Sequence, residues 1–322
     1  MDSIPASVGV IGHIMNPTSA EAVGLAVAAE AGGAAWLGFA DAFWWRDVWM
    51  VLGEVARATT TIQIGPGMTN PYLRHPFHTV AALATLQEIA GPRVMIGIAA
   101  GGSEVSGAAG VSRADAAVRI AQLAEVVRRV GSGGPLDPAT GKPLEIPLLP
   151  VPVLIAGRGD AVLRIAGREA DRVLVWAVPD SDLDRTVAVV EEGIALRADG
   201  SRPEIVWAPL AALDDADAVH VRRVAVYAAL NGAPELRRSW GLSSGIVRSI
   251  RDALVRGDAE QAESMVPAVA LTDLVYRPDT TVRGVTMRER ARSIGATAMA
   301  VPGFDAATLA VRIGWACDVL SG

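Results

Sequence analysis

A single cysteine, Cys317, is present among the 322 residues, so the chain has no disulfide framework and fits a reducing compartment. Cys317 lies among apolar residues near the C-terminus, where a small buried hydrophobe is its expected role. Hydrolysis by a nucleophile is poorly supported, because no G-x-S-x-G turn surrounds Ser103 or Ser106.

Basic residues are not in excess either: 29 Lys and Arg stand against 35 Asp and Glu, for a net charge of −6. With no Lys/Arg stripe, this balance disfavours nucleic acid as a partner and favours a small-molecule substrate. The first twenty residues lack the features of a signal peptide, and no apolar run reaches the length of a membrane span. We therefore expect a cytoplasmic protein without membrane contact.

Hydrophobic residues, by contrast, make up 51% of the chain, enough for a large core. Continuous apolar runs alternate with helical patterns. Continuous runs are typical of parallel strands covered by helices. The predicted strands are 8–14, 36–40, 61–64, 93–100, 153–156, 173–177, 204–212 and 297–301, and the helices between and after them include 20–30, 48–58, 77–90, 113–130, 160–167 and 306–320.

About eight such repeats predict an α/β fold, a (β/α)8 TIM barrel. Length alone permits two domains, but no linker divides the chain, so we expect one domain over 1–322. The Gly- and Pro-rich stretch 131–150 indicates an irregular insertion or small hairpin. Residues 214–295 form a mostly helical excursion. These two segments are expected to shape the substrate pocket.

Special residues concentrate directly after four predicted strands, at 41–47, 65–76, 101–104 and 157–160. The C-terminal ends of barrel strands meet on one rim, where the loops carry function. The four stretches are therefore expected to face a common cavity.

The stretch "GRGD" at 157–160 joins a strand to a helix. Its glycines permit close approach to free backbone N–H groups at the helix N-terminus, an arrangement that suits a phosphate, and Arg158 can add a charge-assisted hydrogen bond. The alternative is an ordinary tight turn with Asp160 as helix cap.

The stretch "GPGMTNPYLRHP" at 65–76 is the most unusual one. Gly65 and Gly67 permit a flat approach to the backbone, while Thr69 and Asn70 supply hydrogen-bonding groups. A planar ligand with polar edges would suit this wall. The alternative is a long turn whose polar residues satisfy their own backbone.

Candidates for chemistry are few. Trp44 and Trp45 are adjacent and cannot face the same way, so one of them is expected to border the cavity. Glu104 follows the glycines of the fourth strand and is a candidate acid or base, or else a carboxylate answering a helix dipole. His75 and His78 lack a third ligand at a suitable spacing, so a metal site is disfavoured. The chemistry is thus expected to come from a cofactor.

With these residues in view, the sequence resembles the bacterial luciferase-like superfamily, nearest the branch of coenzyme F-420-dependent methylenetetrahydromethanopterin reductase. The resemblance rests on "GPGMTNPYLRHPFHTVAALATLQEIAGPRVMIGIAAGGSE" (65–104) and "VPVLIAGRGDAVLRIAGREADRVL" (151–174), supported by "DAFWWRDVWMVLG" (41–53). It implies a barrel that binds the deazaflavin coenzyme F-420, or FMN, at the C-terminal rim and transfers hydride to or from a substrate.

The resemblance also implies roles for individual residues. A non-proline cis peptide bond, here Gly67–Met68, would support the deazaflavin ring. The cofactor-binding residues implied with it are Asp41, Thr69, Asn70, Gly101 and Gly102, together with Gly157, Arg158 and Gly159 at the cofactor phosphate. One departure stands out: several deazaflavin dehydrogenases of the family carry histidine where this chain has Ala42. Either Trp44, Trp45 or Glu104 takes the catalytic role, or the reaction is a hydride transfer that needs little proton chemistry.

Three functions remain open at this stage. The first is a deazaflavin-dependent oxidoreductase. The second is an FMN-dependent monooxygenase, which needs the oxygen adduct that a 5-deazaflavin does not form. The third is a cofactor-free barrel that serves as a binding or partner subunit. A homodimer is expected from the resemblance alone.

Overall fold

A computed structural model describes residues 7–12, 17–42, 45–102, 110–277 and 285–321. Its strands are β1 (Ser7–Gly12), β2 (Trp36–Phe39), β3 (Gln63–Pro66), β4 (Ile96–Ile98), β5 (Val153–Ala156), β6 (Arg172–Trp176), β7 (Glu204–Ala208), β8 (Leu210–Ala211), β9 (Val275–Tyr276) and β10 (Ala298–Gly303).

The helices with described bounds are α1 (Ser19–Ala31), α2 (Val48–Ala58), α3 (Pro76–Ala90), α4 (Ala116–Gly131), α5 (Asp160–Glu169), α6 (Asp180–Ile194), α7 (Asp215–Leu230), α8 (Pro234–Ser239), α9 (Ser244–Val255), α10 (Ala259–Ser264), α11 (Ala268–Leu274), α12 (Met287–Ser293) and α13 (Ala306–Ser321).

Eight parallel strands form one sheet in the order β3-β2-β1-β10-β7-β6-β5-β4. Parallel bridges from Ile64 to Val94 and from Thr69 to Ile98 join its two edges. The sheet therefore closes into the predicted (β/α)8 barrel, because no strand edge is left at the seam between β3 and β4.

Local sequence signals explain where the helices near the site begin. Thr18 caps α1 in a capping box with Glu21, and the carboxylate of Asp47 accepts from the N–H groups of Trp49 and Met50 to cap α2. At α3, His75 Nδ1 accepts from Phe77 N and Pro76 occupies the first turn.

Three apolar clusters hold the fold together. The largest lies between the strands and their covering helices. A second consists almost entirely of strand residues on the opposite face and fills the barrel; it comprises Ile11, Trp36, Met95, Leu154, Leu174, Val206, Ala208, Ala298 and Ala300, with Met68, Ala156 and Trp176 at its border. The third lies within the helical excursion and reaches Ala177 and Leu210 at the strand ends.

The helical excursion is confirmed as mainly helical, with α7 to α12 in the described part of 214–295. In the insertion 131–150, Asp137 pairs antiparallel with Lys142 and turns surround this bridge. The bridge fits the predicted small hairpin. The single domain over 1–322 stays a prediction.

Several predicted bounds need correction. The fourth strand is only Ile96–Ile98, and the predicted strand 204–212 is two strands separated by Pro209. Proline donates no backbone hydrogen bond, so the ladder with β6 ends before it, and β8 pairs with β9 instead. Helix α6 was missed, although Asp180 and Asp182 in its first turn are typical of a helix start. The end of the predicted strand 8–14 lies outside the described residues.

Candidate functional site at the barrel rim

The peptide bond Gly67–Met68 is cis, as the family resemblance implied. It lies directly after β3, at the C-terminal rim. The Gly67 N–H donates to Phe39 O at 2.6 Å, the Asp41 N–H donates to Met68 O at 3.0 Å, and the Thr69 N–H donates to Gly97 O at 2.9 Å. The turn is therefore tied by backbone bonds to the strands on both sides.

Glycines surround this turn because the backbones approach too closely for side chains. A Cβ on Gly67 would lie 2.7 Å from Gly38 Cα, and one on Gly65 would lie 1.9 Å from Met95 O. A Cβ on Gly97 would lie 2.3 Å from Met68 Sδ. Such separations are far below van der Waals contact, so packing alone requires glycine at these positions.

Asp41 and Thr69 meet beside the turn. Thr69 Oγ1 donates to Asp41 Oδ2 at 2.7 Å, and only 1% of Thr69 is exposed. Burial raises the pKa of Asp41, an effect opposed by the Thr69 hydrogen bond and by the charge of Arg74. The Asp41 carboxyl is thus a shielded group at the rim, next to the Met68 carbonyl.

The oxygen and the nitrogen of the Asn70 side-chain amide have different partners. Its Oδ1 accepts from Tyr72 N and Leu73 N, both at 3.1 Å, so the oxygen satisfies its own turn, as the alternative from the sequence anticipated. No described residue accepts from Nδ2. This amide group packs near Gly101, where a Cβ would lie 3.9 Å from Nδ2 and where φ is +77°. Asn70 therefore keeps two donors for a ligand.

An open cleft of about 460 Å³ lies between the loops that follow β2 and β3. It is lined by Asp41, Ala42, Trp45, Asp47, Leu73, Arg74, His75 and His78. Arg74 Nη2 donates to Asp47 Oδ2 at 2.5 Å, so these two lining side chains form an ion pair. Of the two predicted tryptophans, Trp45 borders this cleft, while Trp44 lies outside the described residues.

The loop after β5 has the geometry of an open helix N-terminus. Gly159 is the N-cap of α5, and no side-chain hydrogen bond caps that turn. A Cβ on Gly159 would meet nothing within 4 Å, whereas one on Gly157 would lie 2.4 Å from Val162 Cγ1. The carboxylate of Asp160, the alternative cap, binds Arg185 Nη1 at 2.6 Å instead. The N–H groups of Asp160 and Ala161 thus have no described partner, whereas the Val162 N–H donates to Gly159 O at 2.9 Å.

Arg158 is engaged with the protein itself. Its Nη1 donates to Ala228 O at 3.0 Å and its Nη2 to Ala177 O at 3.2 Å, and the guanidinium lies 5.5 Å from the Trp176 ring centroid. Burial lowers its pKa to about 10, partly offset by Asp182, so it stays charged at neutral pH. A contact of Arg158 with a phosphate stays a prediction.

The remaining predicted residues are found at the following places. Gly101 and Gly102 follow β4, and Arg113 Nη1 donates to Gly101 O at 2.8 Å. Glu104 lies outside the described residues, as do Ser103 and Ser106. His75 serves as a helix cap, and in the described ranges no three His, Cys, Asp or Glu side chains converge as metal ligands. Cys317 is half-buried in α13.

Two features escaped the sequence reasoning. Trp176 ends β6 and packs against both the barrel interior and the helical excursion. Ala177, which follows it, has φ of +49°, an uncommon value for a residue other than glycine. Tryptophan at a strand end was the available signal for the first; nothing in the sequence indicates the second.

Within the described part of the chain, no helix combines the length and apolarity needed to cross a membrane.

Sequence comparisons identify relatives of the chain as a whole. The model of the luciferase-like monooxygenase family matches residues 3–277. A 5,10-methylenetetrahydromethanopterin reductase of Archaeoglobus fulgidus is 28% identical over 220 residues, which cover 65% of this chain and 66% of that protein. The reductase of the same name from Methanopyrus kandleri is 28% identical over 265 residues, covering 72% and 75% of the two chains.

Solved structures give the same fold. The coenzyme F-420-dependent tetrahydromethanopterin reductase of Methanopyrus kandleri superposes with a TM-score of 0.78 at 22% identity, covering 97% of this chain and 98% of that one. An F-420-dependent secondary alcohol dehydrogenase gives 0.71 at 17%, covering 98% and 99%. An EDTA monooxygenase of a Chelativorans species gives 0.63 at 14%, covering 99% and 94%. Because the family model matches most of its length, the chain belongs to the luciferase-like monooxygenase family.

Proposed function

We propose that the protein is a coenzyme F-420-dependent oxidoreductase that transfers hydride between the deazaflavin and a small organic substrate. The observation that carries the proposal is the pairing, on one rim, of the glycine-lined turn after β3 with the helix N-terminus after β5 that no side chain caps. The curated relatives support it, because their names include F-420-dependent glucose-6-phosphate dehydrogenase as well as the reductases.

The residues present fit such a cofactor. The turn at Gly67–Met68 offers a flat backbone wall for a ring, with Thr69 buried beneath it and the Asn70 amide beside it. The uncapped N-terminus of α5, preceded by Gly157 and Gly159, offers free N–H groups to a phosphate. Both places follow parallel strands of one barrel, so they lie on the same rim.

In the proposed mechanism the bound deazaflavin supplies two-electron hydride chemistry. The chain binds and orients: Gly67, Met68, Thr69 and Asn70 support the ring, Gly101 and Gly102 lie beside Asn70, and Gly157 to Gly159 hold the phosphate. Trp45 lines the open cleft next to Asp41. Trp44, Trp45 and Glu104 stay predicted catalytic residues.

The second candidate is an FMN-dependent monooxygenase, favoured by the similar fold of the Chelativorans enzyme. A parallel titration of the purified protein with F-420 and FMN, followed by absorbance and fluorescence, distinguishes the two. We expect saturable binding of F-420 and at least tenfold weaker binding of FMN. Tighter FMN binding, with oxygen consumption when reduced FMN is supplied, would overturn the proposal. Binding of neither would favour a cofactor-free partner subunit.

We also propose that the protein is a cytoplasmic homodimer. The single cysteine supports the reducing cytoplasm as the compartment. The dimer is supported by its frequency in the family, and sedimentation of the purified protein tests it.

A further inference from the structure

The side chain of Arg158 joins three elements of the rim. Arg158 lies in the loop 157–160 between β5 and α5, one residue before the N-cap Gly159. Its Nη2 donates to Ala177 O, directly after β6, at 3.2 Å, and its Nη1 donates to Ala228 O in α7 at 3.0 Å. One guanidinium therefore connects the loop 157–160 both to the end of a barrel strand and to the helical excursion.

The bond to α7 satisfies a carbonyl that the helix itself leaves open. Ala228 lies two residues before the end of α7, where a helix leaves its last carbonyls without N–H partners. The Gly232 N–H donates to Ala229 O, and Ala228 O accepts from Arg158 instead. A positive charge at the C-terminal end of a helix is also favoured by the helix dipole. The end of α7 is thus stabilised by a residue of the barrel.

The bond to Ala177 holds an unusual backbone conformation. The φ of Ala177 is +49°, a value that a residue other than glycine keeps only where its surroundings enforce it. Its N–H donates to Ala208 O at 2.9 Å, and its carbonyl accepts from Arg158. The same guanidinium lies 5.5 Å from the ring centroid of Trp176, which packs against both the barrel interior and the helical excursion. Arg158 therefore also fixes the turn that leaves β6.

The other side of the loop 157–160 is held without α7. Asp160 Oδ1 accepts from Arg185 Nη1 of α6 at 2.6 Å, and Arg185 also binds Asp182 in its own helix. Both charged side chains of the loop are thus engaged with the protein. The N–H groups of Asp160 and Ala161, for which the described chain provides no partner, are the donors that the loop retains for an anion.

We propose that Arg158 is a positioning residue that couples the loop 157–160 to α7, so that a cofactor phosphate in the loop stabilises the docked position of α7. This rests on the proposed F-420-dependent function. The phosphate binds the backbone N–H groups, and the ordered loop holds the guanidinium on Ala228 O. Movement of α7 away from the rim breaks that bond and frees the loop. A ligand that requires the ordered loop therefore opposes this movement. Because α7 belongs to the excursion expected to shape the substrate pocket, the cofactor also fixes a wall of that pocket.

Amide hydrogen exchange of the full chain, followed by mass spectrometry with and without F-420, measures this coupling without turnover. In wild-type protein at an F-420 concentration of about 100 times its Kd, peptides that cover 224–232 should exchange at least about fivefold more slowly. Arg158→Lys keeps the charge, but lysine cannot bond both carbonyls. When equally saturated with F-420, this variant should lose most of the slowing. By reciprocity, its Kd for F-420 should rise by the same factor.

Two further variants make the test specific. Arg185→Lys is the matched control, because it alters a contact to the same loop that does not reach α7. At saturating F-420 it should keep the slower exchange of 224–232. Arg158→Gln, whose single NH2 group replaces the guanidinium, should lose the slowing as Arg158→Lys does. Circular dichroism verifies that each variant is folded.

The outcomes separate this proposal from the proposed function. Failure of the wild-type protein to bind F-420 would reject the function. F-420 binding without slower exchange in α7 of the wild-type protein would overturn the coupling while the proposed cofactor stands, and this result needs no variant. Equal slowing in a saturated Arg158 variant would also overturn it, since the cofactor would then protect α7 without Arg158. If that variant also bound F-420 more weakly, Arg158 would be assigned to the phosphate itself.

Discussion

Gly159 offers the sharpest test of the phosphate-binding loop, through the substitution Gly159→Asp. A Cβ at this position meets nothing within 4 Å, and its φ of −81° suits any L-residue, so the side chain enters open space without strain. Aspartate is also a good helix N-cap, better than glycine by a few tenths of a kcal/mol. The substitution should therefore leave the free energy of unfolding unchanged or slightly increase it.

The effect on cofactor binding should be large by comparison. A carboxylate about 5 Å from a singly charged phosphate is repelled by about 1 kcal/mol in water and by about 3 kcal/mol at an effective dielectric constant of about 20. The new side chain also competes for the N–H groups of the first turn of α5. A loss of at least about 1.4 kcal/mol, or tenfold in the Kd for F-420, is expected.

Gly159→Asn is the matched control, because asparagine has the same size and capping ability but no charge. The affinity ratio of the Asp and Asn variants, measured by fluorescence titration at two salt concentrations, isolates the charge; it should shrink at high salt. Equal affinities of Gly159→Asp and wild type, with both proteins folded by circular dichroism, would remove the cofactor phosphate from this loop.

Three further predictions concern contacts that stabilise the barrel and its rim. Glu30 accepts from the backbone N–H groups of Thr60, Thr61 and Ile62. Burial raises the pKa of Glu30, but these hydrogen bonds outweigh it and lower the pKa to about 2. The charged carboxylate therefore stabilises the folded protein above about pH 4.5, and this contribution is lost as the pH falls towards 2. Glu30→Gln should flatten that part of the stability–pH curve in urea unfolding, by no more than about 1 kcal/mol since the site is largely exposed. Asn70→Ala should destabilise the protein by about 1–2 kcal/mol and weaken F-420 binding. Asn70→Asp should keep the hydrogen bonds of the turn but still bind F-420 more weakly. Normal F-420 binding by both variants would show that Asn70 serves only to stabilise the turn. Arg158→Lys should lower the free energy of unfolding by about 1–3 kcal/mol, because lysine cannot bond both carbonyls and stack on Trp176; an unchanged Tm would contradict the contacts seen here.

The order of strands and helices could be predicted from the sequence because each barrel strand is a short apolar run bounded by breaks. Strand β5 and helix α2 have the predicted bounds. The cis bond at Gly67–Met68 was predictable only through the family resemblance, since glycine crowding by itself also fits an ordinary turn. The split of 204–212 at Pro209 could have been predicted from the missing N–H of proline.

The contacts of the site could not be predicted in the same way. Thr69 donates to Asp41 across 28 residues of sequence, and Arg158 bonds to Ala228 across 70. Such pairs depend on how neighbouring loops and the helical excursion pack on the rim, and no local pattern encodes that. A sequence can show that an arginine lies near a rim, but not that two backbone carbonyls already use its donors.

The glycines of the rim differ in what they reveal about a ligand. Gly65, Gly67 and Gly157 are each required by the protein's own packing, since a Cβ would lie within 2.7 Å of neighbouring atoms at all three positions. Their presence is accounted for without any cofactor, and substituting them would disturb the fold before it disturbed binding. Gly159 has no such requirement, because its surroundings are empty and its backbone conformation is ordinary. Gly159 is therefore the glycine of this loop whose substitution tests ligand binding without first disturbing the fold.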